Sequence, residues 1–172
     1  MMDIAIRNAT VADLGPLCVV RDWVRGHEAK LREASGGTLR FLVAVTRGEV
    51  VGFASLCLAN PTTGPAKSHI PKLSDCFVAM GHRSCGIGRA LVGAREGIAR
   101  AEGCQRLYVS VDPVENARWF DFFRRRGYTA LQSEPYRKRE PRPSKDDRSA
   151  EVLAWRQDLV LDLGQSETAE PG

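Results

Sequence analysis

The chain has 172 residues, 43% of them hydrophobic, with a formal net charge of +4. That length suits one domain with a substantial core. Its apolar runs fall short of the ~18 residues a membrane helix needs, and so mild a charge permits an acidic ligand without calling for nucleic acid.

The opening stretch "MMDIAIRNAT" carries an early acid and no long apolar region, so no secretory signal is expected. Within it, "DIAIRNA" alternates apolar and polar residues as a strand does. Thr10 begins "TVAD", a helix cap with Asp13 three residues on, and Leu14, Leu17, Val20 and Trp23 follow at helical spacing. "LRFLVAV", a "TRGE" turn and "VVGFASLCLA" predict a hairpin. "NPTTGPAKSHIP", with three prolines, predicts a loop, and "KLSDCFVAM" a further strand. Leu91, Ala94 and Ile98 share one face of a helix over 87–102, and Gly103 stops it. "RLYVSV" reads as a strand and "NARWFDFFRRRG" as a helix closed by Gly127. "YTALQ" and "EVLAWRQDLV" read as final strands. The charged, proline-containing insert between them, residues 133–150, reads as a mobile loop over 134–148. One domain is expected over residues 1–163, with a disordered tail over 164–172. Alternating strands and helices with hairpins mixed in predict a mixed sheet of the α/β or α+β class. The cysteines (Cys18, Cys57, Cys76, Cys85, Cys104) are odd in number and form no C-x-x-C pair, which argues for reduced thiols in a cytoplasm.

The stretch "HRSCGIGRAL", residues 82–91, places glycines where a strand gives way to a helix. The first amides of a helix lack internal partners and carry the positive end of its dipole. Glycine lets phosphate oxygens approach them, and Arg83 and Arg89 add charge. A P-loop is excluded, because Arg89 and Ala90 stand where Lys and Ser or Thr belong. G-x-G-x-x-G is excluded too, because no third glycine follows. Alone, G-x-G marks no more than a turn.

The wider stretch "VAMGHRSCGIGRAL" resembles the acetyl-CoA-binding motif of the GNAT superfamily of N-acyltransferases, in Val78, Arg83, Gly86 and Gly88. "IAIRNATVADLGPL" resembles that family's first strand and helix. "NARWFDFFRRRGY" is similar to its second motif, with Asn116, Gly127 and Tyr128 at the matching positions, and "EVLAWRQDL" to its closing strand. The resemblance spans residues 3 to about 160 in the right order. It implies a mixed, mostly antiparallel sheet flanked by helices. It also implies acetyl-CoA as cosubstrate, no metal, and a small-molecule or peptide amine as acceptor, attacking directly in a ternary complex. A homodimer is compatible with it; a membrane partner is not expected. Backbone groups at Val78 and Met80 would pair with the pantetheine arm. Amides of Ser84, Cys85, Gly86, Ile87, Gly88 and Arg89 would hold the pyrophosphate, with Arg83 at the mouth and Asn116 reaching in from the next helix.

The chain departs from the family at Phe123, where a tyrosine usually protonates the leaving thiolate. Either the protein is a silent acyl-CoA-binding module, or it does without that acid. A thiol pKa near 8.5 makes the thiolate a tolerable leaving group. Ser110, Tyr128 or a water could substitute. Trp119 stands where a small residue is common. Asp75, three residues before Val78, is the candidate base, with Glu134 behind it. The basic insert admits a further reading, a toxin-like transferase acting on aminoacyl-tRNA, and a functional role for the insert itself, clamping an anionic acceptor with Arg137 and Arg139. His27 and His69 are too isolated to indicate a metal. Cys85, near a helix N-terminus, reads as a side chain pointing away from the loop rather than as a covalent acyl carrier. His82 reads as a solvated loop residue, and Arg124 to Arg126 as a solvated helix end.

Overall fold

In the computed structural model the described residues are 3–58, 67, 69–142 and 150–164. The first strand, β1 (Ala5–Asn8), runs antiparallel to β2 (Leu39–Thr46), which pairs in turn with β3 (Glu49–Cys57). Between β1 and β2 lie α1 (Leu14–Val20) and α2 (Val24–Ser35). The helical pattern expected through Trp23 therefore ends sooner, and a second helix follows. Its own signal is faint, because α2 buries only His27 and Leu31. His27 is held by its Nε2–H, which donates to the Arg21 carbonyl at 2.9 Å, and by the rings of Trp23, Phe41 and Phe53. Burial pushes its pKa down, so the ring sits there neutral. At the start of α1 the Asp13 carboxylate accepts from the Thr10 amide and takes both Arg7 guanidinium nitrogens at 2.7 Å.

Strand β4 (Lys72–Val78) is antiparallel to β3, and α3 (Ile87–Ala101) crosses to β5 (Arg106–Val111), parallel to β4. After α4 (Ala117–Arg125) come β6 (Thr129–Ala130), β7 (Tyr136–Arg142) and the long β8 (Ala150–Asp162). The sheet order is β1-β2-β3-β4-β5-β8-β6, with β7 joined to β8 alone. Residues 150–156 of β8 form the hairpin with β7, and residues 157–162 pair with β5. The expected loop is therefore strand over Tyr136–Arg142. Pro141 is tolerated because β7 is an edge strand, where a missing amide costs least. Residues 143–149 of the insert, and the expected tail beyond Gly164, lie outside the described residues.

Helices α1 and α2 cover one face of the sheet, where Leu17, Val20 and Leu31 pack on Phe41, Val43 and Phe53. Helices α3 and α4 cover the other, where Val92, Ala99 and Phe123 pack on Leu73, Leu107, Val109 and Leu159. A mixed, mostly antiparallel sheet between two helical layers is the expected class.

Candidate active site

Two features make an opening in the middle of this sheet. First, β4 and β5 are in register at only two positions, Lys72↔Tyr108 and Leu73↔Val109. Beyond them β5 stays paired with β8 as far as Val111↔Gln157, while β4 stays with β3. Second, β4 bulges where the parting begins. Its register with β3 jumps from Ser55↔Ser74 to Phe53↔Phe77, so Asp75 and Cys76 oppose Ala54 alone. Asp75 takes φ +43°, left-handed backbone that a non-glycine residue adopts at a cost. As a result Ser74 and Asp75, neighbours in sequence, both serve the α1–α2 side. The Ser74 hydroxyl meets Cys57 Sγ at 3.2 Å, and the Asp75 carboxylate pairs with Lys30 of α2.

The bulge is held from the other face by Arg95, a fully buried guanidinium on α3. Its Nη1 donates to the carbonyls of Ser55 at 3.0 Å and Ser74 at 3.1 Å, and its Nε to Leu91 at 3.1 Å. These carbonyls flank the irregular pairing, so the arginine supplies hydrogen bonds the bulge has disturbed. Burial lowers its pKa. Sequence reading missed Arg95; the signal was a cation four residues after Leu91 on the apolar stripe of α3.

At the far end of β4 the chain turns into α3. The strand stops at Val78, two residues short of the expected Met80. The Ala79 amide makes a last bond to Val51 at 2.9 Å, and Met80 then opens a 3-10 turn with its side chain exposed. Ser84 and Gly86 both take positive φ, +63° and +84°, which reverses the chain into the helix. The first α-helical bond runs from the Ala90 amide to the Gly86 carbonyl at 3.0 Å, so the amides of Ile87, Gly88 and Arg89 precede it. Ile87 is buried against Leu42, Ala44 and Ala54 and anchors this end of α3. Arg83 folds back, its Nε donating to the Val78 carbonyl at 3.0 Å, its guanidinium over the Phe77 ring. Arg89 is exposed and stands over Phe122. Cys85 is exposed at the mouth. Asn116 caps α4 through its carbonyl, which accepts from Trp119 and Phe120 at 3.0 Å.

The candidate acids fall on opposite faces. Tyr128 is buried beside α3, and its hydroxyl donates to Glu96 at 3.0 Å. Burial, with Glu96 beside it, drives its pKa far up. Glu96 also takes Arg126 in two bonds, at 2.8 and 2.6 Å, so Arg126 is an ion-paired tie between α3 and α4 rather than a solvated end. Phe123 lies in the same core, with ring centroids 5.0 Å from Tyr128 and 5.9 Å from Trp119. Ser110 instead faces the α1–α2 side, where its hydroxyl donates to Asp158 of β8. Tyr136 of β7 donates to the same carboxylate at 3.0 Å, and Lys67 pairs with it at 2.5 Å. Neither Tyr136, Asp158 nor Lys67 was singled out by sequence reading, which placed the first in a loop. Asp158 is 1% exposed. Burial works against its charge, but the bonds from Lys67 and Ser110 prevail and hold its pKa down. Among the described residues no cluster of His, Cys, Asp and Glu could hold a metal, and no helix is long and apolar enough to cross a membrane. An open cleft of about 480 Å³, lined by Thr10, Leu31 and Phe41 among others, lies at the opposite edge of the sheet.

Comparison with known proteins places the chain in a family. Residues 10–128 match the model of the acetyltransferase (GNAT) family. The chain belongs to that family. No curated protein matches it in sequence. Among solved structures it is similar to an N-acetyltransferase from Staphylococcus aureus Mu50, with TM-score 0.73 and 17% identity, over 94% of this chain and 99% of that one. It is similar to a ribosomal-protein-alanine N-acetyltransferase from Brucella melitensis, with TM-score 0.71 and 22% identity, over 92% and 99%. It is also similar to yncA of Salmonella typhimurium, solved with its cofactor acetyl-CoA, with TM-score 0.70 and 18% identity, over 98% of both chains.

Proposed function

We propose that the chain is an N-acetyltransferase that moves an acetyl group from acetyl-CoA to a primary amine by direct attack. The observation that carries this is the parting of β4 from β5 after Leu73↔Val109, beside the glycine-led start of α3. The pantetheine arm takes the strand-like place beside β4 up to Val78. The pyrophosphate takes the amides from Ser84 to Arg89. The neutral amine attacks the thioester carbon from the α1–α2 side. The C–N bond forms, the C–S bond breaks, and the proton lost by nitrogen ends on sulfur. Backbone amides of the parted strand stabilise the oxyanion. Because a thiolate with pKa near 8.5 leaves readily near neutrality, Phe123 at the usual tyrosine position is compatible with turnover. Asp75, engaged by Lys30, is not a free base; the amine loses its proton through water.

Cys85→Asp tests the cofactor assignment. A carboxylate at a helix N-terminus is favourable for folding, but it occupies and repels the place of the diphosphate. Acetyl-CoA affinity by calorimetry should fall roughly tenfold or more with the melting temperature unchanged. Unchanged affinity removes the pyrophosphate from this loop. Thiol release with a panel of amines then tests turnover, and a protein that binds acetyl-CoA but releases no thiol is a silent binder.

A further inference from the structure

The cluster around Asp158 is built like a receptor for an alkyl ammonium, and the chain's own lysine fills it. Lys67 Nζ lies 2.5 Å from the Asp158 carboxylate. It stands 5.7 Å from the centroid of the Tyr108 ring and 5.5 Å from that of Tyr136. A cation in contact with a carboxylate and facing two aromatic rings is held by charge, hydrogen bonding and cation–π attraction together. The carboxylate is fixed in place, because the hydroxyls of Ser110 and Tyr136 both donate to it. Its side chain is 2% exposed, whereas that of Lys67 is 21% exposed, so the cage is buried and its occupant reaches it from the surface.

The position is as telling as the chemistry. Tyr108 and Ser110 flank Val109, the last residue of β5 in register with β4, so the cage begins where the two strands part. It lies on the face opposite the core of α3 and α4, with Tyr108 and Val160 packed together on that side. Lys72, the register partner of Tyr108 on β4, also stands over that ring, at 5.8 Å. Asp158 is therefore a buried anion beside the opening.

We propose that this cage is the subsite for the acceptor's ammonium group, and that Lys67 occupies it as an internal stand-in that an external amine must displace. The inference rests on the acetyltransferase reading and narrows its acceptor to an unbranched aliphatic primary amine, the shape of the lysine arm itself. The carboxylate demands an N–H donor, and the two rings accept a slim alkyl chain. An external ammonium enters when the Lys67 side chain rotates out. It gives up its proton to water and attacks the thioester from the edge of the cage. A site occupied internally for 90–99% of the time weakens apparent affinity roughly 10- to 100-fold.

The probe is n-butylamine, measured by calorimetry without acetyl-CoA. Lys67→Ala should bind it roughly 10- to 100-fold more tightly than the parent, and the amine should raise the melting temperature of that variant. Adding Asp158→Asn to Lys67→Ala should abolish the gain. Should that double variant fail to fold, Tyr136→Leu in the Lys67→Ala background, which removes one ring and spares the carboxylate, should reduce it. Equal affinity in parent and Lys67→Ala, or a gain that survives loss of Asp158 or of the Tyr136 ring, overturns the cage. With acetyl-CoA present, Lys67→Ala should acetylate n-butylamine at a lower KM than the parent. Nα-acetyl-lysine amide and 1,4-diaminobutane then separate a peptide side chain from a free polyamine as the source of the ammonium. Acetyl-CoA affinity of each variant is measured separately. Loss of thiol release while the amine still binds strikes the enzymatic reading and not the cage.

Discussion

Trp119 of α4 lies against Gly88 of α3 so closely that a methyl group on Gly88 would stand 2.8 Å from the far edge of the indole. The glycine that sequence reading assigned to a phosphate is thus also required by a side chain of the protein. Alanine in place of a helical glycine gains about 1 kcal/mol by propensity. Here the ring is braced by Phe122 and Phe123, and overpacking of this kind costs about 1–3 kcal/mol. Gly88→Ala should therefore lose stability in urea unfolding. In a Trp119→Ala background the same change should be neutral or stabilising, and a loss there as well would show that the indole is not the cause.

Phe123→Tyr would restore the residue the family usually carries. The ring is 5% exposed and packed among aromatic neighbours. A buried hydroxyl without a partner costs about 1–3 kcal/mol. The variant should melt earlier and transfer acetyl no faster. A faster rate at an unchanged melting temperature would place the ring at the sulfur.

Arg95→Met keeps most of the volume of the arginine and removes its donors to Ser55 and Ser74. Two carbonyls, one buried and one half-buried, would be left short, at about 1–3 kcal/mol each, offset in part by ending the burial of a charge. A net loss of about 2–4 kcal/mol is expected in urea unfolding. Acetyl-CoA affinity should fall with it, because the bulge shapes the opening. Full affinity in a folded variant would show that the bulge stands without its arginine.

The Arg7–Asp13 pair sets an acid limit on stability. Arg7 hydrogen bonds hold the Asp13 carboxyl at about 2, against an ordinary value of 3.8. As pH falls the unfolded chain takes up this proton first. The contribution is therefore present above about pH 4 and is lost between about 4 and 2. It amounts to about 2 kcal/mol or less, since Arg7 is half exposed and screened by water. Stability against pH should lose this part of its acid slope in Asp13→Asn, and an unchanged slope would assign it to other groups.

The hairpin arginines have partners within the hairpin. Arg137 stands 4.8 Å from the Trp155 ring centroid, and Arg139 is 3.5 Å from Glu151 with both side chains largely exposed. Arg137→Ala with Arg139→Ala should change the acceptor KM less than about twofold, as exposed pairs contribute little. A large salt-sensitive rise would restore the clamp that sequence reading considered.

What the sequence determined by itself was whatever repeats at short range. Alternation in "LRFLVAV" and "RLYVSV" reports burial of a strand face, and the spacing of Leu91, Ala94 and Ile98 reports the stripe of α3. The Arg83-to-Gly88 stretch announced the strand–loop–helix that carries the candidate cofactor loop. Helix α2 escaped because its buried face holds only His27 and Leu31, too little for a period to register. The tertiary structure decided what needs partners far apart in the chain. Asp75 owes its left-handed backbone to a bulge against β3, and Arg95 finds the carbonyls of that bulge 40 and 21 residues away. Tyr108, Ser110, Tyr136 and Asp158 meet only because β5 and β7 both pair with β8, and Lys67 reaches them from between β3 and β4. A periodic pattern tells which face of an element is covered, but not by what, and a carboxylate in "RQDLV" becomes a cage only when strands from elsewhere in the chain surround it.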